Sequence, residues 1–294
     1  MNSTLPENST LDLGVIDEPI LVFGGPYSNL QATQAMLEVA QQRSISHDHI
    51  FCTGDVVAYC ANPVETIAAI RTSGAHVVMG NCEESLGLQL DDCGCGFEED
   101  TACDLLSRQW YAYADDLLGD NDRIWLRARP RRIMARMGGR SLAFIHGSAL
   151  DISGWVFGST GSELKSADLD TLECDGVIAG HCGIPFVHAI PDGRLWINAG
   201  VIGMPANDGT QRGWFAIITP ENDALKIDLE SLDFDAPSAA NAMRDAKLAD
   251  AYADALESGL WPNMDVLPDL ERVKQGIEIK EKTFVWPQDS RNAA

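Results

Sequence analysis

Four short apolar runs in this chain each deliver a polar residue beside a glycine. Ile50-Phe51-Cys52-Thr53-Gly54 leads to Asp55, and Ala75-His76-Val77-Val78-Met79-Gly80 leads to Asn81. Ala143-Phe144-Ile145 leads to His146 ahead of Gly147, and Val177-Ile178-Ala179-Gly180 leads to His181. A carboxylate, a carboxamide oxygen and two imidazoles make an oxygen and nitrogen donor set suited to Mn, Fe or Zn. Taken singly, each residue could be a polar strand end satisfied by backbone groups. A series of four is not accounted for by packing alone. Cys82 directly follows Asn81, and the acids Glu83 and Glu84 after it suit a helix N-terminus.

The eight cysteines are unevenly placed. Cys82, Cys93, Cys95 and Cys103 share one segment, Cys52 and Cys60 flank Asp55, and Cys182 follows His181. With no secretion signal in the acidic N-terminus the expected location is cytoplasmic, where a disulfide framework is not expected. Cys82, Cys93, Cys95 and Cys182 are therefore candidates for a second, thiolate-bound metal or an iron–sulfur cluster beside the first metal. Reduced loop thiols, and for Cys82 a small buried hydrophobe, are the alternatives. The Cys93-Gly94-Cys95 spacing matches neither the zinc C-x₂-C pattern nor a ferredoxin run.

Such residues need a scaffold that gathers strand ends. Pro19–Phe23 reads as a buried strand and 30–42 carries helical spacing, followed by the strand to Asp55, a helix opened by Pro63 and the strand to Asn81. That β-α-β-α-β order implies parallel strands with right-handed crossovers. A helix is expected over 102–118. Three hairpins follow, 133–137 with 141–146, 186–190 with 195–198, and 214–219 with 224–229. The expectation is a parallel half followed by an antiparallel half. Residues 1–18 read as a flexible tail, 19–232 as one domain, and 233–294 as a C-terminal helical arm, Ala-rich over 236–257.

The 294 residues can bury a large core, and 45% hydrophobic content is ordinary for a soluble chain. No run approaches the roughly 20 apolar residues of a membrane helix. A net charge of −23 argues against binding a nucleic-acid backbone.

Gly54-Asp55, Gly80-Asn81 with Glu83, His146-Gly147 and Gly180-His181, in this order, resemble the motifs of the calcineurin-like metallophosphoesterases. Asn29-Leu30, Pro63, Pro185-Phe186 and Asn198-Ala199-Gly200 strengthen the resemblance, which spans about residues 19–230. It implies an α/β fold, a four-layer α/β/β/α sandwich of two mixed sheets flanked by helices. It also implies hydrolysis of a small phosphorylated substrate, a phosphate monoester or diester, with metal on Asp55, Asn81, His146 and His181. Asn81, Cys82 and His146 then stand at catalytic positions.

The departures fall on one side. Gly25, Tyr27 and Gly183 stand where the family carries ligands of one metal site, and Cys82 stands where it carries a histidine. The resemblance therefore implies a remodelled phosphoesterase, mononuclear or supplemented by cysteine. Two alternatives stay open: a non-catalytic binding protein on this fold, and a thiolate-metal or iron–sulfur redox protein. Assembly of identical chains is open as well.

Overall fold

The computed structural model describes residues 9–96, 101–222 and 224–287. The expected tail over 1–8, the end of the arm beyond Pro287 and the side chain of Cys103 lie outside the described residues.

The first half of the chain lays down β1 (Thr10–Val15), β2 (Ile20–Phe23), α1 (Leu30–Gln42), β3 (Ile50–Cys52), α2 (Pro63–Ser73), β4 (His76–Val77) and α3 (Asn81–Leu88). Then come α4 (Ala102–Leu117), α5 (Asp120–Arg127), β5 (Arg132–Met137), β6 (Arg140–Phe144), α6 (Ser162–Thr171), β7 (Gly176–Ala179), β8 (Phe186–Ala189) and β9 (Leu195–Asn198). The chain continues through β10 (Gly213–Glu221), β11 (Ala224–Leu232), α7 (Ala236–Asp245), α8 (Asp250–Ser258), α9 (Asp269–Arg272) and β12 (Lys282–Pro287). The strands form two six-stranded sheets, ordered β1-β5-β6-β7-β9-β8 and β12-β11-β10-β2-β3-β4.

Alternation along the strands explains the layering, because successive side chains point to opposite faces. In β2, Ile20 and Val22 face the other sheet and pack with Phe144, Ile178 and Ile197. Leu21 and Phe23 face outward and pack with Met36 of α1, Ile67 of α2 and Ala240 of α7. On the far side, Ala143, Val177 and Trp196 meet Leu169 of α6. The result is the expected helix–sheet–sheet–helix sandwich of two mixed sheets. No helix among the described residues is long and apolar enough to cross a membrane.

Four expectations need correction. Thr10–Val15 is not tail but an edge strand, parallel to β5 with Thr10 opposite Arg132; its apolar residues Leu11, Leu13 and Val15 do alternate, but the strand stays largely exposed. The arm is not wholly helical, because β12 pairs antiparallel with β11 and buries Trp286. The stretch 236–257 is two helices, broken where Lys247 takes a left-handed backbone (φ 60°). The second half is not purely antiparallel either. β6, β7 and β9 run parallel, because α6 makes the crossover between β6 and β7 that a parallel pair requires.

Candidate metal centre

The four strand-end residues converge. Asp55, His146 and His181 offer ligand atoms that all lie within 4.8 Å of one another. Nε2 of His146 lies 3.0 Å from Oδ1 of Asn81, 3.1 Å from Nδ1 of His181 and 3.2 Å from Oδ2 of Asp55. All four residues are buried.

The backbone is bent to achieve this. Asp55 and His181 both adopt left-handed conformations, with φ of 57° and 59°. Such conformations in non-glycine residues persist only where the surroundings impose them, and they cluster at functional sites. For Asp55 the imposing group is Glu83 on the first turn of α3. Its buried carboxylate accepts the N–H groups of Asp55 and Val56, each at 2.7 Å, and of Gly80 at 2.8 Å. One side chain thus ties two strand-end turns together. Gly80 has to be glycine, since a Cβ there would lie 2.4 Å from Oδ1 of Asp55. The Cys82 N–H donates to that same oxygen at 3.2 Å.

The hydrogen-bond network assigns the inward-facing atoms. His146 Nδ1 lies 2.6 Å from the Thr53 carbonyl, which only accepts, so Nδ1 carries the proton and Nε2 of the neutral ring presents a lone pair. The Asn81 amide donates from Nδ2 to the Cys93 carbonyl at 2.9 Å, which turns Oδ1 inward. One proton at the centre would satisfy only one of the contacts around Nε2. A cation there would satisfy all of them, so the donor set fits a divalent metal. Among the described residues, Nε2 of His181 is buried without a hydrogen-bond partner.

The charges follow the same logic. Burial opposes ionisation of Asp55, yet His146 beside it holds the carboxyl below the usual range. Burial likewise opposes a charge on His146, and Asp55 outweighs it and raises that imidazole. Burial, with His146 adjacent, pushes His181 down to about 3. Burial and the nearby Asp55 lift Glu83 to about 7.

Among the described residues the cysteines do not gather into a second group of ligands. Cys93 and Cys95 are joined to each other in a disulfide, which consumes both thiolates. Cys82 is buried, and burial followed by Asp55 raises its thiol far above the ordinary value. Cys182 accepts from Nδ2 of Asn198 at 3.2 Å and donates to the Ile184 carbonyl. Among the described residues the Asp55–His146–His181 group is the one cluster of three or more metal-capable His, Cys, Asp or Glu side chains, and it contains no cysteine. This arrangement offers no support for thiolate ligation by Cys82, Cys93, Cys95 or Cys182, or for the cluster it would have held.

Aromatic rings fill the side of the site that lacks ligands. A Cβ on Gly25 would fall 2.4 Å from Cζ of Tyr27. The Tyr27 ring packs edge-on to Tyr59, with centroids 4.8 Å apart. A Cβ on Gly183 would meet Cζ2 of Trp261, from the C-terminal arm, at 3.5 Å. The Trp155 ring lies against His181, with centroids 4.0 Å apart. Sequence reasoning missed Trp155, which comes from a loop with no periodic signal, and expected Trp261 to dock on the core without placing it at the site. It read Glu83 as a helix-start acid and as part of the Gly80-Asn81 motif, and did not foresee its bonds to the backbone N–H groups of Asp55 and Val56.

The calcineurin-like phosphoesterase superfamily domain profile matches residues 21–223. An uncharacterized protein of Methanocaldococcus jannaschii is 25% identical over 238 residues, covering 75% of this chain and 90% of that protein. The crystal structure of a hypothetical protein from Pyrococcus horikoshii OT3 superposes with a TM-score of 0.69 at 19% identity, covering 83% of this chain and 99% of that one. A metallophosphoesterase from Sphaerobacter thermophilus superposes with a TM-score of 0.62 at 19% identity, covering 83% of this chain and 100% of that one.

Proposed function

The chain belongs to the calcineurin-like phosphoesterase superfamily, and from that premise we propose that it hydrolyses phosphate esters with one divalent metal. The observation that carries this reading is the convergence of Asp55, Asn81, His146 and His181 on one point. These four residues would hold the ion, which supplies a Lewis acid for a phosphoryl oxygen and an acidified water as nucleophile.

The chain's own residues do the rest. Thr53 fixes the His146 tautomer so that Nε2 stays available. Glu83 holds the Asp55 and Gly80 turns in register. The Cys93 carbonyl orients Asn81 so that its amide oxygen points into the site. Cys82 stands where the family carries a catalytic histidine, and its buried thiol stays protonated next to Asp55. Because it does not relay protons as an imidazole does, turnover is expected to rest on the metal and the bound water.

The test is release of p-nitrophenolate from p-nitrophenyl phosphate and bis(p-nitrophenyl) phosphate by protein loaded with Mn²⁺ or Zn²⁺. Chelation should abolish it. Asp55→Asn should lower it by a factor on the order of 100 or more, since the metal contributes several kcal/mol. A second reading, a non-catalytic binding protein, is favoured by the rings at Tyr27 and Trp261 that occupy the other half of the site. Metal binding without release of nitrophenolate from either ester would select it.

A further inference from the structure

We propose that the aromatic cleft beside His181 is the subsite for the ester group of the substrate, and that it selects a phosphate ester carrying a single aromatic ring. This rests on the phosphoesterase reading above. The cleft is walled by Tyr27, Tyr59, Trp155, Met204, Tyr252 and Trp261, with His181 at its inner end. Nδ1 of His181 belongs to the ligand group, so a group seated in the cleft adjoins a phosphate held at the centre.

The walls decide the chemistry. Among the described residues, the lining contains no Lys, Arg, Asp or Glu. A second phosphate placed there would lose its water without gaining a charged Lys or Arg partner. An aromatic ring loses nothing of that kind and gains ring-on-ring packing. The rings are already held in position. The Trp261 indole donates to the Pro205 carbonyl at 2.7 Å, and its backbone N–H donates to Oδ1 of Asn207 at 2.8 Å. Tyr59 packs on Tyr27 at 4.8 Å and on Tyr252 at 4.9 Å between centroids. Fixed walls reduce the ordering cost of binding.

Size narrows the class further. The cleft holds about 70 Å³, against the ~150 Å³ cavity that encloses a whole benzene molecule. A single ring enters edge-first with its far side open to solvent, and a fused bicyclic base would leave more of its surface outside the cleft. Gly25 leaves room for the Tyr27 ring, which a side chain there would overlap, and Gly183 sits in van der Waals reach of Trp261. An apolar wall thus stands where the family resemblance places ligands of a second metal. In the reaction the water oxygen bonds to phosphorus, the bond from phosphorus to the ester oxygen breaks, and the departing aromatic alcohol takes up a proton.

The experiment compares kcat/KM for benzyl phosphate and methyl phosphate, and for their symmetrical diesters, on metal-loaded protein. The two alkoxide leaving groups are of similar basicity, so the ratio reports the cleft rather than the leaving group. The expected ratio is roughly tenfold or more in favour of benzyl, collapsing toward one in Trp261→Ala. Because the ratio is taken within one protein, a reduced folded fraction cancels. Binding of the non-hydrolysable pair phenylphosphonate and methylphosphonate to the same holoprotein supplies a second readout. Equal rates on benzyl and methyl esters, or a benzyl preference that survives Trp261→Ala, overturn the inference and leave the phosphoesterase reading intact. No hydrolysis of any ester, together with tighter phenylphosphonate binding that Trp261→Ala abolishes, supports the cleft and removes the phosphoesterase reading.

Discussion

Glu83 accepts three backbone N–H groups and, in doing so, fixes a left-handed Asp55. Replacing it with glutamine keeps the volume but turns an amino group toward donors that need an acceptor. Glu83→Gln should destabilise the fold by about 1.5–3 kcal/mol, the worth of hydrogen bonds to a charged group. It should also weaken metal binding roughly 10–100-fold by releasing the Asp55 turn. Thermal melting and metal titration would check the two effects separately. Lys165 offers a pH test away from the centre. Its amino group is buried against the Gly158 and Thr160 carbonyls and Nδ1 of His188, with Glu271 as the nearby acid. Burial lowers it from the ordinary lysine value of about 10.5 to about 8. Between those values the unfolded chain binds more protons than the folded one, so this lysine's contribution to stability rises with pH. Melting temperatures of wild type and Lys165→Met should therefore diverge in favour of wild type from pH 8 to 10.5. At this scale the sequence was readable where residue type carries the chemistry, as for Asp55, Asn81, His146 and His181. Glu83 was not, because its partners are backbone amides that no residue type announces. The cysteines misled because sequence spacing says nothing about which thiol faces a neighbour.

The turn between β2 and α1 shows how one element traded ligands for packing. Gly25 takes a left-handed φ of 40° and lies directly under the Tyr27 ring. Gly25→Asp alone should cost about 1–3 kcal/mol, as overpacking does. Combined with Tyr27→Ala, the part of that cost due to the ring should disappear, while the part due to the left-handed backbone at residue 25 remains. A double-mutant cycle on chemical denaturation measures this coupling, and additive effects would contradict the reading. Elements with strong patterns were legible: β2, β3, the hairpins and α4 stand close to where periodicity put them. The strand β1 lies at an exposed edge, and its partner β5 is more than a hundred residues away, so only its short Leu11-Leu13-Val15 alternation marked it, and that was passed over. The helix α6 carries only a weak apolar stripe, and missing it hid the parallel arrangement of β6 and β7.

Across the whole molecule, the C-terminal segment joins what the first half began. Trp286 on β12 packs into the core between the sheets, its indole donates to the Gly193 carbonyl at 2.8 Å, and the Arg140 guanidinium lies 4.5 Å from its ring centre. Trp286→Ala should cost about 3–5 kcal/mol through lost burial and the cavity left behind. In a chain of this size that corresponds to a fall in melting temperature of roughly 10 °C. A shift under about 2 °C would show that the arm is dispensable to the core. The same arm supplies Trp261 and Tyr252 to the cleft, so the segment beyond the sandwich both completes a sheet and shapes the site. The layered architecture and the position of the centre at the strand ends were legible from the order of the motifs. The role of the arm was not, because its contacts are with residues distant in sequence.

The most direct test of the central claim is the number of divalent metal ions bound per chain after loading and removal of excess. It should be measured for wild type, Asp55→Asn and His181→Ala. One ion per chain in wild type, with loss of tight binding in both variants, is the result predicted by a single centre on Asp55, Asn81, His146 and His181. Two ions per chain in wild type, or one ion retained equally by both variants, would contradict it.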